Sequence, residues 1–289
     1  FEIFFKSIKL KKSKSPIILI SSKKLLLQNM RKFNFKKKIK LLELDNLNKI
    51  KLDNNYINLI EVNQKKIVDL NSNKFIENSF SIAFKIIKSG ITNKFINGPI
   101  NKSFLKKKYL GITEYISEYF SIKNNAMLIY NKKLSVCPVT THLPLKFVSK
   151  NISKKLITKK VKIVHDFYLN KFKLRPKIAI LGLNPHCETI DKYNEDKKII
   201  SPTIKNLKKL NYKVSGPFSA DTIFLKQNRV KYDVIIGMYH DQVLTPIKTL
   251  YNFNAINITL GLPFIRISPD HGPNELLLGK NKSDPSSIF

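Results

Sequence analysis

Short apolar runs rich in β-branched residues recur along this chain, and several break off at a polar cluster. "PIILISS" (16–22), "KFINGPI" (94–100), "AMLIYN" (126–131), "LSVCPVTTH" (134–142), "KIAILGL" (177–183), "YDVIIGMYH" (232–240) and "NAINITLGLP" (254–263) are such runs. Each is too short for a helix and has the composition of a buried strand. Between them lie amphipathic stretches: "KKLLLQNM" (23–30), residues 153–172 and "NEDKKIISPTIKNLKKL" (194–210). Strand and helix alternate, which predicts an α/β fold with a mostly parallel central sheet.

A chain of 289 residues that is 43% hydrophobic can bury one large α/β domain or two lobes. The formal charge of +33 suggests a nucleic-acid partner. The way that charge is distributed argues against one. Only four of the 53 basic residues are arginine (Arg31, Arg175, Arg229 and Arg266), and the lysines are scattered among many Asn and Ile. A binding surface would cluster arginine and interleave aromatic residues. Weak, salt-sensitive adhesion to polyanions is all this charge implies. The two cysteines, Cys137 and Cys187, form no CxxC pair, which fits a reducing compartment and no thiolate zinc site. No apolar stretch approaches the ~18 residues of a membrane span. The start "FEIFFKSIKLKKSKS" lacks signal-peptide order. The expectation is a soluble cytoplasmic protein, trimmed at both ends.

Four of the five histidines end or follow a strand signal: His142, His186, His240 and His271. Open α/β sheets bind ligands beyond the carboxyl ends of their strands. Three neutral imidazoles converging there can hold a divalent metal and leave a position open for substrate. A single histidine after a strand is more often a turn residue; the repeated placement makes the case here. His165, inside a helical pattern, is set aside. Cys187, next to His186, could be a ligand but is expected to be a small buried residue. Asp221, after the Gly216-Pro217 turn, is either a helix N-cap or a carboxylate that takes a proton beside the metal. Arg266, after "LGLPFI", needs either an internal acid or a ligand phosphate or carboxylate.

Taken together, "VTTHLPL", "GLNPH", "GPFSADTIF", "GMYHDQVLTPIK", "NITLGLPFIRIS" and "DHGPNELLLGK" resemble the 4-hydroxythreonine-4-phosphate dehydrogenase family of pyridoxal phosphate biosynthesis. "NGPINKSFL" and "GITEYISEYF" extend the likeness upstream. The resemblance implies an isocitrate/isopropylmalate-dehydrogenase-like two-lobe fold. Residues 1–110 with 250–289 would form the cofactor-side lobe, and 111–249 the metal, substrate and dimerisation lobe. It implies metal ligation by His142, His186 and His240. Substrate contacts would come from Thr113, Lys248, Asn257 and Arg266, proton transfer from Asp221, and a cofactor loop from Asp270, His271 and Gly272. The implied cofactors are NAD, with NADP as the alternative, and one divalent ion (zinc, magnesium, manganese or cobalt). The implied assembly is a homodimer with active sites at the subunit interface and one metal histidine from the partner.

The chain departs from the family pattern in several places. Ile112 stands where the family has a histidine that contacts substrate. "CETIDKYNEDKK" replaces a Gly-rich stretch, "HGPNE" replaces "HGTA", and the opening Gly-rich segment is absent. Ile112 can neither accept nor donate a proton, which keeps open a related dehydrogenase acting on another phosphorylated or carboxylated hydroxy acid. A three-histidine metal hydrolase and a polyanion-binding module are further readings. No GxGxxG follows a strand, so the NAD expectation rests on the resemblance alone.

Overall fold

The computed structural model describes residues 1–10, 13–62, 73–101, 105, 109, 111–190, 192–273 and 275–287. Lys102, Ser103 and Phe104 of "NGPINKSFL", Asp191, Asn274 and the final Ile288-Phe289 lie outside the described residues. The chain forms two compact units, Phe1–Lys106 with His271–Phe289, and Lys107–Asp270.

In the first unit, strands β1 (Ile18–Ser21), β2 (Ile39–Leu42) and β3 (Ile57–Glu61) form a parallel sheet with β3 central. Leu59 of β3 is fully buried and packs with Leu26, Phe5 and Phe35. Ser22 caps the helix Lys23–Lys32 by accepting from the Leu25 amide at 3.4 Å, satisfying a donor that the first turn leaves open. A short strand β4 (Lys94–Ile96) follows the helix Asn73–Lys88.

The second unit contains β5 (Ala126–Tyr130), β6 (Ser135–Pro138), β7 (Ile178–Leu181), β8 (Val214–Phe218), β9 (Val234–Gly237), β10 (Ile256–Leu260) and β11 (Ile265–Pro269). Their order across the sheet is β11-β10-β5-β6-β9-β7-β8. From β6 through β9 and β7 to β8 the strands are parallel; β5, β10 and β11 run as antiparallel neighbours. Alternate residues serve two cores. Ile178, Ile180, Val234 and Ile236 face Val161, Val164 and Ile157 of the helix Lys154–Phe172. Ala179, Leu181 and Ile235 face Val243, Leu244 and Ile247 of the helix His240–Tyr251. Burial on both faces is why these strands read as continuous apolar runs.

Two sequence expectations shift. The lobe boundary placed at residue 250 falls instead at 270/271, because Ile256–Leu260 hydrogen-bonds to Ala126–Tyr130 on one side and Ile265–Pro269 on the other. Gly216-Pro217 is not a turn; both lie within β8. That strand is the sheet edge, where a proline without an N–H is tolerated. Gly216 has φ +133, and a Cβ there would sit 2.3 Å from the Ile180 carbonyl oxygen, so only glycine fits.

Candidate active site

The carboxyl ends of the adjacent parallel strands β6, β9 and β7 carry, in turn, His142, His240 and His186. His142 follows β6 in the segment Val139–His142, whose backbone continues along β9: the Val139 amide donates to Gly237 O and the Thr140 amide to Met238 O. His240 opens the helix His240–Tyr251. The two rings lie 5.7 Å apart, centroid to centroid. His186 sits in the turn Pro185–Cys187 with φ 55, a left-handed conformation that a non-glycine residue adopts at a cost of about 1–3 kcal/mol. Its side chain is 77% exposed, and its Nδ1 lies 4.0 Å from Asp221 Oδ2. Among the described residues no group of three His, Cys, Asp or Glu side chains is placed to hold a metal. The structure thus pairs His142 with His240 and leaves His186 beside Asp221. Asp221 is in the first turn of Ala220–Ile223; Ser219, not Asp221, occupies the N-cap position.

Buried polar groups missed by the sequence reading fix these loops. Gln242 accepts from the Met238 amide at 2.7 Å and donates to the Gly182 carbonyl at 2.8 Å, tying the end of β9 to the end of β7. Asp196, buried, accepts from the Leu183 amide (2.8 Å), the Asn184 amide (3.1 Å) and the Asn184 side chain (2.9 Å). Glu195 accepts from Asn184 at 3.1 Å and from the Ser149 hydroxyl. This acidic pair anchors the loop that carries His186. "GMYHDQ" holds Gln242 and "NEDKK" holds the acids, but their partners are distant in sequence.

The second group lies on the antiparallel strands and the helix Ile112–Tyr119. Arg266 on β11 is 2% exposed and donates to Thr259 Oγ1 at 2.9 Å; Thr259 Oγ1 lies 3.4 Å from Thr113 Oγ1. Burial lowers the Arg266 pKa to about 10, opposed by the charge of Glu114. At neutral pH Arg266 therefore stays cationic in a dry site. Burial pushes the Glu114 carboxyl up, but His142 and the Thr141 hydroxyl (3.1 Å) outweigh it and hold the group below its ordinary value. Ile112 is half-buried at the start of the same helix. Asn257 Oδ1 on β10 and Asp270 Oδ1 are buried without a hydrogen-bond partner. Lys248 Nζ donates to Asp270 O at 2.7 Å and to Asp270 Oδ2 at 3.3 Å. His271 and Gly272, in the other unit, form a local contact from His271 Nδ1 to Gly272 O at 3.0 Å. The Gly272 α-carbon faces open space.

The donor chemistry fits a divalent cation. Two imidazoles meet at a sheet edge, and acids face their Nδ1 atoms: Glu114 at 3.8 Å from His142 and Asp241 at 2.7 Å from His240. Carboxylates in that position orient metal-binding histidines. The same unit holds an orphaned amide oxygen (Asn257), a half-buried lysine (Lys248) and a buried arginine (Arg266), polar groups of the kind that bind an anionic, hydroxylated ligand.

The family model of pyridoxal phosphate biosynthetic protein PdxA matches residues 12–289. The 4-hydroxythreonine-4-phosphate dehydrogenase of Sulfurihydrogenibium sp. (strain YO3AOP1) is 43% identical over 213 residues, covering 72% of this chain and 65% of the relative. That of Aquifex aeolicus (strain VF5) is 43% identical over 193 residues, covering 65% and 60%. The chain thus spans somewhat less than two thirds of the length of these relatives. Among solved structures, the 4-hydroxythreonine-4-phosphate dehydrogenase of Klebsiella pneumoniae superimposes with a TM-score of 0.79 at 26% identity, covering 98% of this chain and 90% of the other. Isocitrate dehydrogenase of Methylococcus capsulatus superimposes at 0.51 with 9% identity over 94% and 82%, a likeness of fold alone.

Proposed function

Because the chain belongs to the family of pyridoxal phosphate biosynthetic protein PdxA, we propose that it is an NAD-dependent, metal-assisted dehydrogenase. Its substrate would be 4-phosphooxy-L-threonine, oxidised and decarboxylated to 3-amino-2-oxopropyl phosphate. The observation that carries this reading is the pairing of His142 with His240 at the sheet edge, in the same unit as buried, cationic Arg266.

Bound by these histidines, a divalent ion supplies Lewis acidity that lowers the pKa of an alcohol. A nicotinamide cofactor would supply the hydride acceptor, and Asp270, His271 and Gly272 would hold its adenosine side. Arg266 and Lys248 grip the anionic ends of the substrate. Lys248 keeps one N–H donor beyond the two it gives Asp270. Asn257 and Thr113 orient the substrate by hydrogen bonds. Asp221, exposed and unencumbered by a capping role, takes the hydroxyl proton. Oxidation gives a β-keto acid; loss of CO2 leaves an electron pair that the new carbonyl accepts, and a proton added to the carbon that carried the carboxylate completes 3-amino-2-oxopropyl phosphate.

His186 faces solvent in this chain. In a homodimer with interfacial sites it would complete the three-histidine set of a neighbouring subunit. Among the described residues no helix is long and apolar enough to cross a membrane, in keeping with the cytoplasmic setting we propose.

Half-buried Ile112 beside Thr113 favours one second reading, a related dehydrogenase whose hydroxy-acid substrate lacks the group a histidine would have bound. NADH absorbance separates the two. Chelator-sensitive, metal-restored NADH formation with 4-phosphooxy-L-threonine is expected; NADH only with another hydroxy acid would select the second reading.

A further inference from the structure

We propose that Glu114 is a positioning residue for His142, holding the ring in the tautomer that carries its proton on Nδ1 and leaves Nε2 free as the donor atom. This rests on the reading of His142 as a metal ligand. Glu114 Oε2 and His142 Nδ1 are both buried, both lack a hydrogen-bond partner, and lie 3.8 Å apart. Two orphaned, buried polar atoms facing each other are costly unless they pair. A shift of about 1 Å would bring them to charge-assisted hydrogen-bond distance.

The surroundings are arranged for this pair. The other carboxylate oxygen, Oε1, is pinned at 3.1 Å by the hydroxyl of Thr141, the residue next to His142. The acid is thereby clamped to the loop it orients. Gly111 makes the room. A Cβ on Gly111 would lie 2.7 Å from Glu114 Oε2, from His142 Nδ1 and from His142 Cε1. The backbone there is extended, at φ -165 and ψ 173, so what glycine gives is space for the pair as it stands and not a special torsion angle; a larger residue would displace one of the two side chains. The other histidine–acid contacts differ in kind. Asp241 and Asp166 are sequence neighbours of the histidines they face and are well exposed, and His186 and Asp221, 4.0 Å apart, are both exposed. Glu114 reaches His142 from a separate helix, and both side chains are half-buried.

The test uses the full chain, 15N-labelled at histidine, free of metal at about pH 8, where imidazole is neutral. Long-range 1H–15N correlation reports which nitrogen carries the proton. His142 is expected to be the Nδ1–H tautomer in the wild type. Glu114→Ala should move it toward Nε2–H. Glu114→Gln, whose amide oxygen still accepts, should restore Nδ1–H and provides the folded control if the alanine variant is unstable. Gly111→Ala should disturb the tautomer without removing either group. In parallel, Co(II) affinity measured against a competing chelator should fall about 10–100-fold in Glu114→Ala and less in Glu114→Gln. An Nε2–H tautomer in the wild type, or an Ala variant with unchanged tautomer and unchanged Co(II) affinity, overturns the proposal. A wild type that binds no Co(II) refutes the metal reading instead, while the tautomer measurement still decides the role of Glu114.

Discussion

Replacing Gln242 by Met removes two hydrogen bonds and changes little else. The side chains are close in volume, so the packing penalty is small. What remains is a Met238 N–H and a Gly182 C=O, both buried, that lose their Gln242 partner. Each unsatisfied group costs about 1–3 kcal/mol, so the variant should lose about 2–6 kcal/mol. That is a large part of the ~5–15 kcal/mol that a domain holds in reserve. The chain has no tryptophan, so urea unfolding followed by far-UV circular dichroism is the appropriate assay. Hydrogen exchange at the Met238 amide gives the local reading, accelerating about tenfold for every 1.4 kcal/mol lost there. Because Gln242 joins the strand ends bearing His186 and His240, metal affinity should weaken even in molecules that stay folded. A loss under about 1 kcal/mol with Met238 protection unchanged would refute the reasoning, since it would mean the two groups find other partners at no cost.

Two further outcomes follow from the same structure. Arg266→Met should weaken substrate binding at least tenfold while leaving a single cooperative transition in the same urea assay. Burial lowers the Arg266 pKa from 12.5 to about 10, so holding this charge in the interior opposes folding, as expected of a group kept for its ligand; folded Arg266→Met protein that binds substrate as well as the wild type would contradict the assignment. Glu195 is raised by burial but lowered more by Ser149 and Asn184, so its folded pKa lies below the ordinary 4.5. Its stabilising contribution is therefore fully present above that value and is lost as pH falls through the lower folded pKa. Ser149→Ala should flatten this acid limb, and an identical stability–pH curve would contradict the assignment.

The strands were legible because both faces of the sheet are buried, so that Ile178–Leu181 and Val234–Gly237 are apolar at every position. The placement of the site histidines was legible because each stands at or just past the carboxyl end of an apolar strand run. Pairing partners were not. Nothing local in "NAINITLGLP" says that it bonds to Ala126–Tyr130 on one side and to Ile265–Pro269 on the other, and these pairings carry the second unit on to residue 270. Gly216-Pro217 carries a turn signal, and only its place at the sheet edge makes it a strand. Glu114, Gln242, Glu195 and Asp196 look like ordinary surface polar residues in sequence; their roles come from partners brought together by the fold. The resemblance to a family gave substrate roles to Thr113, Lys248, Asn257 and Arg266, of which the arginine after "LGLPFI" already asked for an anion. The structure adds that Thr113 and Arg266 share Thr259, whereas Lys248 is engaged with Asp270.

The most direct measurement is the stoichiometry of products from 4-phosphooxy-L-threonine. The full-length protein, loaded with a divalent metal and given NAD, would be followed simultaneously for NADH by absorbance and for CO2 released from substrate labelled in its carboxylate. One NADH per CO2, abolished by chelator and by His142→Ala, is the predicted result. Folded, metal-loaded protein that produces neither would contradict the account, and NADH without CO2 would restrict it to oxidation alone.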